Sequence, residues 1–147
     1  MISQVAPNTI PLSLLLEADP CHKRIKEYLD NAICYAYKER DLLIGACIIS
    51  RLNRHEVEVM NIAVLPEKQQ LGIGSKLLTY SLEQLKQQNI KHVFLGTGTF
   101  GHQLSFYQRL GFRVDEVIKN HFISHYDEPL FENGIQHKDM LRLSLTL

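Results

Sequence analysis

Apolar and polar positions change period several times along this chain of 147 residues, and the changes mark out its elements. After an irregular start, 12–18 forms an apolar helical turn or two closed by Asp19-Pro20, and a second helix is expected over 22–30. Segments 33–39 and 42–52 are rich in Ile, Leu, Cys and Tyr and read as strands. The polar pair Arg40-Asp41 stands between them at hairpin spacing, so the two strands should run antiparallel. Residues 56–65 begin half polar and end wholly apolar, as a strand entering the middle of a sheet should, and Pro66 stops them. Within 72–88, Ile73, Leu77, Leu78, Leu82 and Leu85 recur at helical spacing, which predicts an amphipathic helix closed near Asn89. A short buried strand over 91–95 follows, and the helix between two strands suits a right-handed parallel crossover.

Farther on, 103–110 reads as a short helix ended by Gly111, 112–123 as a strand, and 140–147 as a final strand. Between the last two lies a long connection, 126–134, with Pro129 and the turn pair Asn133-Gly134. The pattern predicts an α/β fold of mixed α+β character. Its central sheet is mixed and mostly antiparallel, with flanking helices. No repeat, low-complexity tract or linker interrupts it, so 1–147 is expected to be one domain.

Composition narrows the partners. With 45% hydrophobic and 22% charged residues the chain can build a real core. Lys plus Arg equals Asp plus Glu at 16 each, so no global field draws it to nucleic acid or to an anionic membrane. Residues 1–11 lack a basic segment followed by an apolar run, and no stretch approaches the roughly 18 apolar residues of a membrane span. A soluble, unexported, cytoplasmic protein is expected, with no nucleic-acid or membrane partner. Cys21, Cys34 and Cys47 form no Cys-x-x-Cys pair and read as reduced, buried thiols away from the motifs below. His121 and His125 stand four apart, like zinc ligands on a helix. Residues 117–123 alternate like a strand, however, which would put the two about 13 Å apart, so no metal site is expected.

The chemistry concentrates in Gln69-Gln70-Leu71-Gly72-Ile73-Gly74, between a strand and a helix. Holding a pyrophosphate there requires converging backbone N–H groups, glycines where a Cβ would block approach, and the positive end of a helix dipole behind them. The dinucleotide fingerprint Gly-x-Gly-x-x-Gly fails, because Leu77 stands where its third glycine belongs. The Walker loop fails too, since Gly74 is followed by Ser75-Lys76 and Gln69 occupies the place of its first glycine. Gln-x-x-Gly-x-Gly fits.

Segment 58–78, EVMNIAVLPEKQQLGIGSKLL, resembles the acetyl-coenzyme A motif of the GNAT superfamily of N-acetyltransferases. Segment 104–112, LSFYQRLGF, resembles that superfamily's second motif, an aromatic pair followed by a helix end at Gly-Phe. The likeness covers about 42–114. It implies a sheet with a splayed parallel strand pair and acetyl-CoA as cosubstrate, with no metal. Ile62, Ala63 and Val64 would present main-chain groups to the pantetheine arm, which lies alongside like an added strand. Residues Gln69, Gln70, Leu71, Gly72, Ile73, Gly74 and Ser75 would cradle the pyrophosphate. Gln69 stands where the family often has arginine and supplies no charge. Many relatives also have an asparagine ahead of the second-motif helix; Thr97 and Thr99 could offer hydroxyls there instead.

Amide formation from a thioester needs a neutral amine, a path for its proton and a donor for the departing thiolate. By the resemblance, Tyr107 is the candidate general acid, a phenol of ordinary pKa near ~10 that stays protonated at neutral pH. Core packing with Phe106 is the competing reading. Glu58, eleven residues before Gln69, is the candidate base acting through water, with Glu56 as its substitute. The expected activity is direct transfer of acetyl from acetyl-CoA to a primary amine of a small molecule or peptide. Tyr126, Asp127, Glu128, Glu132 and Asn133 are candidate walls for that amine. A non-catalytic acyl-CoA sensing domain is the alternative, and a homodimer stays open.

Overall fold

Arg40 and Asp41 take positive φ angles of 49° and 68°, the backbone that a tight turn between two twisted antiparallel strands requires. They join β2 (Ile33–Glu39) to β3 (Leu42–Arg51) in the computed structural model, which describes residues 1–147. The chain divides into two compact units, Met1–Lys91 with Leu147, and His92–Thr146.

In the first unit, β1 (Ile2–Val5) pairs antiparallel with β2, where the sequence pattern predicts irregular chain. Helices α1 (Leu12–Leu15) and α2 (His22–Leu29) follow it, and β4 (Glu56–Val64) pairs antiparallel with β3. Helix α3 (Ile73–Gln87) closes near Asn89, whose φ of 65° ends the helical run. Leu14, Leu15 and Ile25 pack on Cys34, Ala46, Ile48 and Ala63 over one face of this sheet. On the other face Ile73 and Leu77 of α3 close over Gly45.

The register of β3 with β4 slips by one residue at Met60: Ile48 pairs with Asn61, but Ile49 pairs with Val59 and Ser50 with Glu58. Partners across a ladder share a face, and faces alternate along each strand. Without the bulge, Glu58 and Asn61, three apart, would point to opposite faces. With it, both lie on the face covered by α1 and α2, while Val57 and Val59 turn to the face of α3.

In the second unit, β9 (Met140–Thr146) lies between β5 (His92–Gly98) and β6 (Arg113–Ile118), antiparallel to both. Helix α4 (His102–Arg109) connects β5 to β6 and packs on β5. Strand β5 runs three residues beyond the expected 95, so Thr97 is a buried strand residue in register with Leu141, not part of a loop. The expected strand 112–123 is overturned in its second half. β6 stops at Ile118, Asn120 takes a φ of 60°, and α5 (His121–Ser124) follows. Asparagine tolerates that left-handed backbone, and it breaks the apparent alternation. The connection at 126–134 contains one arm of a hairpin, β7 (Leu130–Glu132) with β8 (Ile135–His137), turning at Asn133-Gly134.

Candidate active site

Strand β4 ends at Val64, and a short 3-10 turn (Pro66–Lys68) delivers the chain to Gln69. The Gln69 side-chain amide donates 3.0 Å to the Val64 carbonyl, so the loop is tied back to the strand it leaves. Gln70 and Gly72 then take positive φ angles of 64° and 80°. A Cβ at Gly72 would meet nothing within 4 Å, which leaves open space directly before α3. Gly74, by contrast, lies inside the first turn of α3 with no positive φ, so only close approach of a ligand would demand glycine there. The first hydrogen bond entering the helix runs from Lys76 N–H to the Gly72 carbonyl. The N–H groups of Ile73, Gly74 and Ser75 precede it, with no side-chain cap and no acidic residue in the first turn. Those donors and the helix dipole together make an anion-binding end.

Glu58 is half-buried on β4, opposite Ser50. Glu56 lies one alternation earlier, and its carboxylate accepts 2.8 Å from the Asn53 side-chain amide at the β3–β4 turn. Asn61, only 4% exposed, shares the face of Glu58. Its amide donates 3.0 Å to the Leu15 carbonyl and 3.0 Å to the Tyr28 hydroxyl, and that hydroxyl donates 3.1 Å to Asp19, which also accepts the Cys21 N–H at 3.0 Å. This buried network fastens α1 and α2 to the central strand. The lone polar side chain in an otherwise apolar run, Met60-Asn61-Ile62-Ala63-Val64, was the signal for it in the sequence. Asn61→Ala is expected to lower unfolding free energy by about 1–3 kcal/mol in urea titration, because the buried bonds that tie the Leu15 carbonyl and the Tyr28 hydroxyl to the central strand are lost together.

Cys47 is nearer the motif than its sequence position suggests, since it pairs with Ile62 across the β3–β4 ladder. Burial pushes its thiol up to about 12, and that of Cys34 up to about 11. Neither forms a thiolate at neutral pH, and neither is equipped to act as a nucleophile.

Tyr107 is 8% exposed on α4, its ring centroid 5.2 Å from Phe106 and 6.0 Å edge-on from Phe112. The aromatic pair is therefore a packing unit, which fixes the direction of the phenol. Thr99 is exposed just beyond β5. Of the candidate wall, Asp127 and Glu128 are exposed, Tyr126 lies 6.0 Å from the Phe122 ring, and Asn133 occupies the β7–β8 turn. Glu132 is engaged by His137 at 2.9 Å.

His121 and His125 do not lie about 13 Å apart along a strand. They stand one helical turn apart with stacked rings, centroids 4.2 Å from each other. No group of three or more His, Cys, Asp or Glu side chains is placed to hold a metal ion. No helix is long and apolar enough to cross a membrane.

An uncapped helix start fronted by glycine at the end of a central strand suits a ligand that carries phosphate. Residues 30–114 match the family described as "Acetyltransferase (GNAT) domain". The uncharacterized N-acetyltransferase YvbK of Bacillus subtilis (strain 168) is 41% identical over 135 residues, covering 91% of this chain and 87% of that one. Among solved structures, a GNAT family acetyltransferase from Elizabethkingia anophelis with acetyl-CoA bound superimposes with a TM-score of 0.95 at 36% identity, covering 100% of this chain and 97% of the other. An IAA acetyltransferase from Bacillus cereus ATCC 14579 gives 0.94 at 36% identity, over 100% and 99% of the two chains. The chain belongs to the GNAT family of N-acetyltransferases. It is an acyltransferase with that family's mixed α/β fold and mostly antiparallel sheet.

Proposed function

We propose that this enzyme transfers the acetyl group of acetyl-CoA directly to a primary amine of a small molecule or peptide, with no acyl-enzyme. The observation that carries the reading is the uncapped start of α3 behind the open space at Gly72, in a chain 36% identical to a structure with acetyl-CoA bound. Ile62, Ala63 and Val64 receive the pantetheine arm along β4, and Gln70 to Ser75 receive the pyrophosphate through main-chain N–H groups. Gln69 contributes by closing the strand end. Thr99, exposed beyond β5, is free to meet the cofactor arm, whereas buried Thr97 acts by shaping the strand.

Chemically, the amine nitrogen attacks the thioester carbonyl carbon, and the C–S bond breaks as the tetrahedral intermediate collapses. Glu58 takes the ammonium proton through water, and the Tyr107 hydroxyl donates a proton to the leaving thiolate. Raised thiol pKa values at Cys34 and Cys47 favour direct attack over an acyl-cysteine route. The cytoplasm, which supplies acetyl-CoA, is the compartment this chemistry suits.

Thiol release from acetyl-CoA, measured against a panel of primary amines, tests the reading. At least one amine should stimulate release, and Glu58→Gln should slow the best of them by about 10²-fold at neutral pH. Equal rates in the variant would remove Glu58 as the base. Failure of every amine, with coenzyme A still bound, would favour a sensing domain.

A further inference from the structure

Three glycines in six residues, Gly96-Thr97-Gly98-Thr99-Phe100-Gly101, carry the chain from β5 into α4. Such a segment has little intrinsic reason to hold one conformation. The hairpin β7–β8 packs onto it. A Cβ at Gly98 would fall on the His137 imidazole, and one at Gly101, where φ is 105°, would lie 2.7 Å from a Glu132 carboxylate oxygen. At Gly98 the His137 ring takes the space a side chain would need, and at Gly101 the backbone itself favours glycine while Glu132 closes over it.

Leu130 pairs with His137 and Glu132 with Ile135, so Glu132 and His137 share one face of the hairpin as diagonal neighbours. Nε2 of His137 donates 2.9 Å to Oε1 of Glu132. Nδ1 is buried with no hydrogen-bond partner. The ring is therefore held to the hairpin through Nε2. The same ring stacks on Phe100 at 4.1 Å between centroids and 8° between planes, and lies 5.6 Å from Phe122. The other carboxylate oxygen of Glu132 is 4.0 Å from Nδ1 of His102, the first residue of α4. Helix α4 has no acidic residue in its first turn and no side-chain cap of its own. Glu132 supplies the missing negative charge at that end from another element.

We infer that the β7–β8 hairpin is a clasp that sets the position of α4, with Glu132 and His137 as positioning residues for Tyr107. A three-residue-per-arm hairpin is too short to stand alone, so the clasp stabilises both partners at once. The inference rests on Tyr107 as proton donor to the thiolate. It reassigns Glu132 from the wall of the amine site to the support of the acid.

His137→Phe keeps a ring to stack on Phe100 and removes the N–H to Glu132, whereas His137→Gln restores a donor near the same place. Amide hydrogen exchange over residues 102–109 should quicken about tenfold in His137→Phe, with turnover on acetyl-CoA and the best amine of the panel falling about tenfold and the acetyl-CoA KM unchanged. His137→Gln should behave as wild type in both. Adding His137→Phe to Tyr107→Phe should slow turnover no further. Wild-type exchange in His137→Phe, or faster exchange with full turnover, would overturn the inference. Full turnover in Tyr107→Phe alone would instead overturn the role of Tyr107, and the exchange result would still decide whether the clasp exists.

Discussion

Gly72→Glu is expected to erase the rise in Tm that coenzyme A produces. A ligand present at about 100 times its Kd adds roughly 2.7 kcal/mol to a protein that binds it only when folded. That increment should vanish. The space before α3 would accept the new side chain, because nothing lies within 4 Å of its Cβ. The loss would therefore come from a carboxylate placed where the diphosphate must approach the N–H groups of Ile73, Gly74 and Ser75, not from a clash. A backbone φ of 80° makes any side chain there strained by about 1 kcal/mol, which lowers the Tm of the free protein by only a few degrees. Gly72→Asn separates the two effects, since asparagine tolerates this backbone and carries no charge; it should retain most of the coenzyme A response in the same thermal scan. Unchanged coenzyme A affinity in the glutamate variant would remove the loop from the cofactor site.

Tyr107→Phe is expected to lower kcat by about 10²-fold while leaving coenzyme A binding intact. The substitution keeps the ring that packs on Phe106 and Phe112, so the fold should be preserved and the lost hydroxyl read directly in the chemistry. Steady-state thiol release with the amine from the panel, together with coenzyme A titration, gives both numbers. An unaltered kcat would leave Tyr107 as a core residue, the reading in which the Phe106–Tyr107 pair only packs.

The parts of this site that were legible in the sequence are those set by local chemistry. Pro66 and Gly72 punctuate the chain where strand passes to helix, and Arg40-Asp41 mark their turn, so β2, β3, β4 and α3 lie within a residue or two of expectation. Elements that depend on distant partners were not legible. Ile2–Val5 is a strand because it pairs with Cys34 to Tyr37, and four residues carry too little periodicity to announce that. Alternation across 117–123 was genuine in composition and misleading in structure, because Asn120 turns the backbone in the middle of it. The hairpin at 130–137 was visible only as its Asn-Gly turn. Its arms are short, and their hold on Gly98 and Gly101 is a tertiary fact. The same limit applies to Cys47, remote in sequence from the glycine loop at 69–74 and beside Ile62 in space.

The bulge at Met60 also constrains how this protein can change over time. Along β4 burial alternates without a break, yet the face to which the buried side chains turn inverts at that residue. A single-codon deletion there would keep every neighbour's chemistry and exchange every assignment upstream of it, sending Glu56 and Glu58 beneath α3 and turning Val57 and Val59 toward α1 and α2. Length in this short stretch is consequently held more tightly than identity. A gained or lost residue there needs a compensating one on the same strand before the lineage can keep Glu58 and Asn61 on one face.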